Sequence, residues 1–199
     1  MMVEDNPMLP DYVVINDPNI PDKFRSRLRI PSETVSFPLS KEDEEILSVL
    51  EAKHDFVKGN VTGLAAPQIG FNKKMIIFAV NPDPDIAASR LDFQQTMPRT
   101  IWINPTYHPI TEQVHIDYEL CLSVANIVGL VKRYTTINYT ANLPDGSVIE
   151  GEATGFLARI IQHEIDHLNG ILFIDIMEKE SAMSFEEYQL QILPLASNQ

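Results

Sequence analysis

Cysteine is almost missing from this chain: Cys121 is the only one in 199 residues. No internal disulfide can form, which fits a reducing compartment and a fold held by packing. Positive charge is also scarce, with 15 Lys and Arg against 28 Asp and Glu and a formal net charge of −13. That balance argues against a protein that binds nucleic acid directly, because no broad basic face is available to meet phosphates. No apolar run approaches the roughly 20 residues a membrane-spanning helix needs. The start, Met1-Met2-Val3-Glu4-Asp5, is acidic and lacks the apolar core of a secretory leader. The expected location is the cytoplasm, with no membrane partner. Repeats and low-complexity tracts are absent as well.

What is present suffices for a packed interior: 44% of residues are hydrophobic and 22% charged. The length predicts one domain over residues 1–199. Residues 1–39 are Pro-rich, with a short apolar piece at Tyr12-Val13-Val14-Ile15, and read as an extended segment wrapping the surface. Residues 193–199 read as a polar tail.

Between these ends, Ser40 and Asp43 form a capping-box variant, and Ile46, Leu47, Leu50, His54 and Val57 follow at helical spacing up to a stop at Gly59. His54 is expected at the helix surface or boundary. Strands are predicted over Lys74–Val80, Thr100–Pro105, Gln113–Tyr118 and Ile127–Tyr139, with a hairpin through Leu143–Ser147 returning over Val148–Ala153. Residues 81–98 read as a surface excursion, Ile171–Ile174 as a strand, and Ser184 as the cap of a last helix over Phe185–Ile192. Helical periodicity beside strand alternation points to an α+β fold.

The most informative stretch is Gln162-His163-Glu164-Ile165-Asp166-His167. On a helix, residues i and i+4 share a face. Two imidazoles so placed can hold one metal ion, and the carboxylate beside the first can reach a bound water. Phe156, Ile160, His163 and His167 fall on one helix face, so the metal side of the predicted Phe156–Leu168 helix is also partly apolar. A catalytic ion of this kind needs a third protein ligand. Spacing alone leaves two candidates open: a carboxylate downstream, Glu186 or Glu187, or the lone thiol of Cys121 upstream. His108 and His115 have no partner at ligand spacing and are not expected to bind the ion.

Three segments together resemble the peptide deformylase family. Gly63-Leu64-Ala65-Ala66-Pro67-Gln68 matches that family's GxGLAAxQ from its second glycine. Glu119-Leu120-Cys121-Leu122-Ser123 is similar to EGCLS, and Gln162 to Gly170 matches QHExDHLxG throughout. Trp102-Ile103-Asn104-Pro105 and Leu172-Phe173-Ile174-Asp175 also resemble family segments, and the likeness spans about residues 40–178.

The resemblance implies antiparallel strands packed around a central HExxH-bearing helix. It implies a metal held by Cys121, His163 and His167, a metal-bound water as nucleophile, and Glu164 as general base and then acid. It assigns oxyanion stabilisation to the Gln68 amide and the Leu122 backbone N–H. The substrate would be nascent peptides beginning with formyl-methionine, met near the ribosome exit region, and formate would be a product. Thr62, Gly63, Leu120, Phe156 and Ile160 would contact the peptide. The ion would be Fe(II) in the cell, with Ni(II) or Zn(II) as substitutes in purified protein. Glu119 and Arg133 are expected to pair behind Cys121, and Asp166 to accept an imidazole N–H.

Two glycines of the pattern are replaced, by Val61 and by Leu120. Leu120 beside the thiol would narrow the cleft, change which N-terminal residue fits, or turn into the core without effect. The competing readings are a non-catalytic or substrate-shifted relative, and a HExxH metalloprotease, which leaves the first two motifs unexplained.

Overall fold

The computed structural model describes residues 12–56, 62–82, 84 and 90–193. Val61, Val57, Gly59 and the tail from 194 onward lie outside them, as does part of the 81–98 excursion. In chain order, the elements begin with a short helix α1 (Asp22–Arg25), α2 (Lys41–Phe56), β1 (Gly63–Ala65) and β2 (Met75–Val80). Then come β3 (Met97–Pro109), β4 (Val114–Cys121), β5 (Val124–Tyr134), β6 (Thr136–Asn142) and β7 (Val148–Thr154). The long helix α3 (Gly155–Leu168) follows, then α4 (Phe173–Ile176) and α5 (Phe185–Gln191). Five antiparallel strands form one sheet in the order β1-β2-β3-β6-β7, and β4 pairs with β5 in a second, two-stranded sheet. The α+β class is the one that periodicity and alternation predicted, and the packing of antiparallel strands around a central helix is the arrangement that the resemblance implied.

Strand β2 shows why its sequence is apolar throughout rather than alternating. Ile76 and Phe78 face the cluster that contains Leu157, Ile161, Ile165 and Leu168 of α3. Met75 and Ile77 face the other way, onto Ile46, Leu47 and Leu50 of α2. At β2 the large sheet is therefore covered on both faces. Trp102 lies fully buried, edge-on to Phe78 with ring centroids 4.7 Å apart and stacked on Tyr139 at 4.4 Å.

Four expectations are corrected. The predicted Ile127–Tyr139 strand breaks at Thr135, and its halves join different sheets. The Gln162 side chain accepts from Tyr134 N at 3.0 Å and donates to Tyr134 O at 2.9 Å, so that residue's backbone is taken by the helix. The predicted strand at Ile171–Ile174 turns into α4 after Leu172, because the Asp175 carboxylate accepts from Leu172 N at 2.8 Å and caps the turn. The apolar run there reflects burial, with Leu172 and Phe173 packed in a third cluster under the small sheet. His54 is buried, not at the surface, since it continues the inward face of Leu47 and Leu50. The Tyr12–Ile15 piece does more than wrap the surface. Val13 is fully buried, Val13 N donates to Gln68 O at 2.7 Å, and Ile15 N donates to Ser123 O at 2.9 Å. One extended segment thus ties the loop of the first motif to the loop of the second.

Candidate metal centre and cleft

Cys121 is the last residue of β4, at the hairpin turn into β5, where Ser123 N approaches its sulfur at 3.4 Å. Helix α3 lies against that turn and presents His163 and His167 one turn apart, with ring centroids 5.0 Å from each other. Sγ of Cys121 is 3.3 Å from Nε2 of His167. One donor atom from each of Cys121, His163 and His167 falls within 4.8 Å of the others. A sulfur and two imidazole nitrogens at this separation suit a tetrahedral late transition ion with one open position. Glu186 and Glu187 are not part of this group; Glu187 caps α5 by accepting from Ser184 N.

The two histidines are held differently. Nδ1 of His163 is 2.9 Å from Oε2 of Glu119. Glu119 is buried and also receives Arg133 in a bidentate pair, Nε and Nη2 each at 2.9 Å, and Arg159 Nη1 at 2.8 Å. Burial alone would raise the Glu119 carboxyl, but the bonds from Arg133 and His163 hold it well below the usual range. Glu119 is therefore an acceptor, and His163 donates through Nδ1, which leaves Nε2 for the ion. The expected Glu119–Arg133 pair is present. Asp166 does not accept from an imidazole; it takes Nη1 of Arg133 instead. Next to His167 in sequence, Asp166 points about 100° away round the helix.

Nδ1 of His167 is buried with no hydrogen-bond partner among the described residues. Burial lowers the His167 pKa well below its ordinary value, and the neighbouring charge on His163 adds to this. His163 goes the other way: burial opposes protonation, yet contacts with Cys121 and Glu119 raise its pKa well above the ordinary value.

Glu164 is also buried, and its Oε2 has no partner among the described residues. Burial pushes its carboxyl up to about 7, against the pull of His163. Strand β1 runs directly over it: a Cβ on Gly63 would stand 2.4 Å from Oε1 of Glu164. The glycine is needed for clearance, not for an unusual φ. Beyond β1, the Gln68 amide is set by its acceptor end, where Ala65 N donates to Oε1 at 2.8 Å. Its donor end then faces Cys121, with Nε2 to Sγ 3.4 Å.

These residues open onto one cleft of about 270 Å³. Thr62, Gly63, Gln68, Leu120, Leu122, Phe156 and Ile160 all line it, together with Cys121, His163 and Glu164. Leu120 is 52% exposed, so its side chain stands at the cleft rather than in the core. Four lining residues were not singled out from the sequence: Arg90, Tyr118, Arg159 and Tyr188. An arginine inside the apolar stretch Phe156–Ile161 was a visible signal. Nothing local marked the others, which arrive from the excursion, from β4 and from α5. Arg90 pairs with Asp92 and Asp117 and lies 4.5 Å over the Phe156 ring. His115 joins Asp92 and Asp117 in a second cluster of potential donors, but both carboxylates are already paired with Arg90. The excursion also seats the start of α3: Phe156 N donates to Asp92 O at 3.0 Å, and a Cβ on Gly155 (φ +56°) would fall 2.1 Å from that oxygen.

Comparison with known proteins gives a consistent result. The Polypeptide deformylase family profile matches residues 18–183. Peptide deformylase 2 of Rickettsia conorii is 48% identical over 188 residues, covering 94% of this chain and 93% of the relative. Among solved structures, the Met-Ala-Ser-bound class I type b peptide deformylase from Acinetobacter baumannii aligns with a TM-score of 0.69 at 28% identity, over 85% of this chain and 98% of the other. A probable peptide deformylase from synechococcus phage S-SSM7 aligns with a TM-score of 0.65 at 31% identity, over 85% and 99% of the two chains.

Proposed function

This chain belongs to the peptide deformylase family of metal-dependent enzymes, and from that premise we propose that it removes the N-formyl group from formyl-methionyl nascent peptides, releasing formate. The observation that carries the reading is the convergence of donor atoms of Cys121, His163 and His167 within 4.8 Å, beside a buried Glu164 whose Oε2 has no partner among the described residues. Those three side chains would hold the ion, Fe(II) in the cell and Ni(II) or Zn(II) as substitutes. When bound, such an ion acts as a Lewis acid on the formyl carbonyl and acidifies water.

The chain's own groups do the rest. Glu164, with a carboxyl near neutrality, takes a proton from the attacking water and returns it to the leaving amine. The Gln68 Nε2–H and the Leu122 backbone N–H donate to the oxygen that gains charge. Gly63, Thr62 and Leu120 flank the peptide, and Phe156 and Ile160 receive its first side chain. The peptide in the Acinetobacter relative, Met-Ala-Ser, begins with the residue that deformylation would leave exposed. We take residues 1–199 as one catalytic domain working in the cytoplasm near the ribosome exit. Among the described residues no helix is long and apolar enough to cross a membrane.

Formate release from formyl-Met-Ala-Ser by protein loaded anaerobically with Fe(II) or Ni(II) tests this reading, with Glu164→Gln as control. Turnover that disappears in the control is expected. No turnover from protein carrying a full complement of metal would overturn it in favour of a binding-only relative.

A further inference from the structure

The first and second motifs belong to separate sheets. Gln68 lies in the single turn of 3-10 helix (Ala66–Ile69) that follows β1 of the five-stranded sheet. Leu122 and Ser123 form the turn between β4 and β5 of the two-stranded one. Among the described residues no backbone hydrogen bond joins those two loops directly. The contact from Gln68 Nε2 to Cys121 Sγ, 3.4 Å, engages the donor that the proposed reaction needs for its oxygen. What bridges the loops is the segment Val13–Asn16. Val13 N donates to Gln68 O at 2.7 Å and, two residues on, Ile15 N donates to Ser123 O at 2.9 Å. Asn16 adds a second hold on the same hairpin: its Oδ1 accepts from Ala125 N at 3.2 Å, and its Nδ2 donates to Ala125 O at 3.3 Å. The segment is itself fixed from behind. Val13 is fully buried and Ile20 nearly so, in the cluster with Val124, Val131, Leu172 and Phe173.

We infer that Val13–Asn16 is a positioning segment for the reaction: it sets the separation between the Gln68 amide and the Leu122 N–H, the two donors assigned to the oxygen that gains charge. The inference rests on the deformylase reading above. Two donors stabilise one oxygen only when both lie about 2.7–3.1 Å from the place it will occupy, and small misplacements are costly. Donors on one element keep their spacing through that element's own backbone bonds. Here they sit on two sheets, so a third piece of chain holds it. None of the four residues lines the cleft, so the segment acts through Gln68 and Leu122 from outside.

The test uses full-length, metal-loaded protein and formyl-Met-Ala-Ser, with rates taken per bound metal ion. Ile15 is the second residue of a turn closed by Asp17 N on Val14 O, and its φ is not positive. Proline suits that position and removes the N–H that Ser123 O accepts. Ile15→Pro is expected to lower kcat about tenfold, part of the roughly 10²–10³ that loss of a whole oxyanion donor costs, with KM and metal content unchanged. Ile15→Val keeps the N–H and should retain the wild-type rate. A cycle with Gln68→Ala separates positioning from general loosening. With one donor left there is no spacing to hold, so adding Ile15→Pro should then cost less than about threefold. A merely structural role gives the same factor in both backgrounds, or loses metal and leaves kcat per metal ion at the wild-type value; either result overturns the inference. If Ile15→Pro does not fold, Asn16→Ala decides by the same comparisons, since Asn16 is exposed and its side chain holds Ala125. If Gln68→Ala turns over too slowly to time, the split between kcat per metal ion and KM decides alone. Wild-type turnover with an unaffected variant removes this inference only, whereas no wild-type turnover removes the deformylase reading and this one with it.

Discussion

His163 and His167 sit one helical turn apart and present the same chemistry, yet their surroundings are opposite. Behind His163 stands a buried network of Glu119, Arg133, Arg159 and Asp166 in which nearly every polar atom is matched. Around His167 and Glu164 the polar atoms are left open: His167 Nδ1 and Glu164 Oε2 have no partner among the described residues. The matched side fixes the orientation of His163, the proposed ligand, by packing and hydrogen bonds of the chain alone. In the proposed reaction the open side supplies Glu164 for the proton transfers. Rigidity and reactivity are separated within one turn of helix.

The largest expected effect comes from the open side. Glu164→Gln should lower kcat by about 10²–10⁴-fold, the usual worth of a general acid–base group, while metal content stays at the wild-type level. Kinetics paired with metal analysis checks this, and loss of the metal as well would erase the distinction between the two sides. On the matched side the order of effects reverses. Glu119→Gln should weaken metal binding by roughly 10–100-fold, as for other residues that orient a ligand. Leaving Arg133 and Arg159 partly unpaired should also cost about 3–5 kcal/mol of stability, measurable by denaturant unfolding.

The protonation split of the histidines supplies a finer test. The His163 pKa is raised in the metal-free site, so the proton favours the state without metal and the ion must displace it. Apparent metal affinity should therefore rise with pH through and above the ordinary histidine range, by up to about tenfold per unit for one proton released. A competition titration at several pH values checks the sign, and affinity independent of pH would mean that His163 is neutral before binding. The smallest effect is expected for Asp166→Asn. It removes one of the contacts on Arg133 but leaves the Glu119–His163 bond, so metal affinity should change by no more than about threefold.

How legible the site was depended on whether the cause was local. The HExxH spacing is a statement about one helix, and it could be read as such. The Gly63 position was visible as part of a motif, but its reason was not: the residue it must clear is Glu164, about a hundred positions away and on another element. Asp166 beside His167 looked like a natural partner for an imidazole. Asp166 points about 100° away from His167 round the helix and takes Arg133, and the imidazole that does find an acceptor is His163, on Glu119 of β4. The break at Thr135 was hidden for the same reason, since the amide that ends β5 belongs to Gln162 on α3.

By itself, then, the sequence determined the mixed class of fold and the His163–Glu164–His167 constellation, because period and spacing act within single elements, whereas Cys121 was singled out as the third candidate ligand only by the resemblance of three motifs to a family. Only the tertiary structure decided which acceptor orients His163, which backbone passes over Glu164, and that Arg90, Arg159 and Tyr188 share the cleft wall. Those choices depend on how separate elements are packed against one another, and long-range packing leaves no periodic trace in the chain.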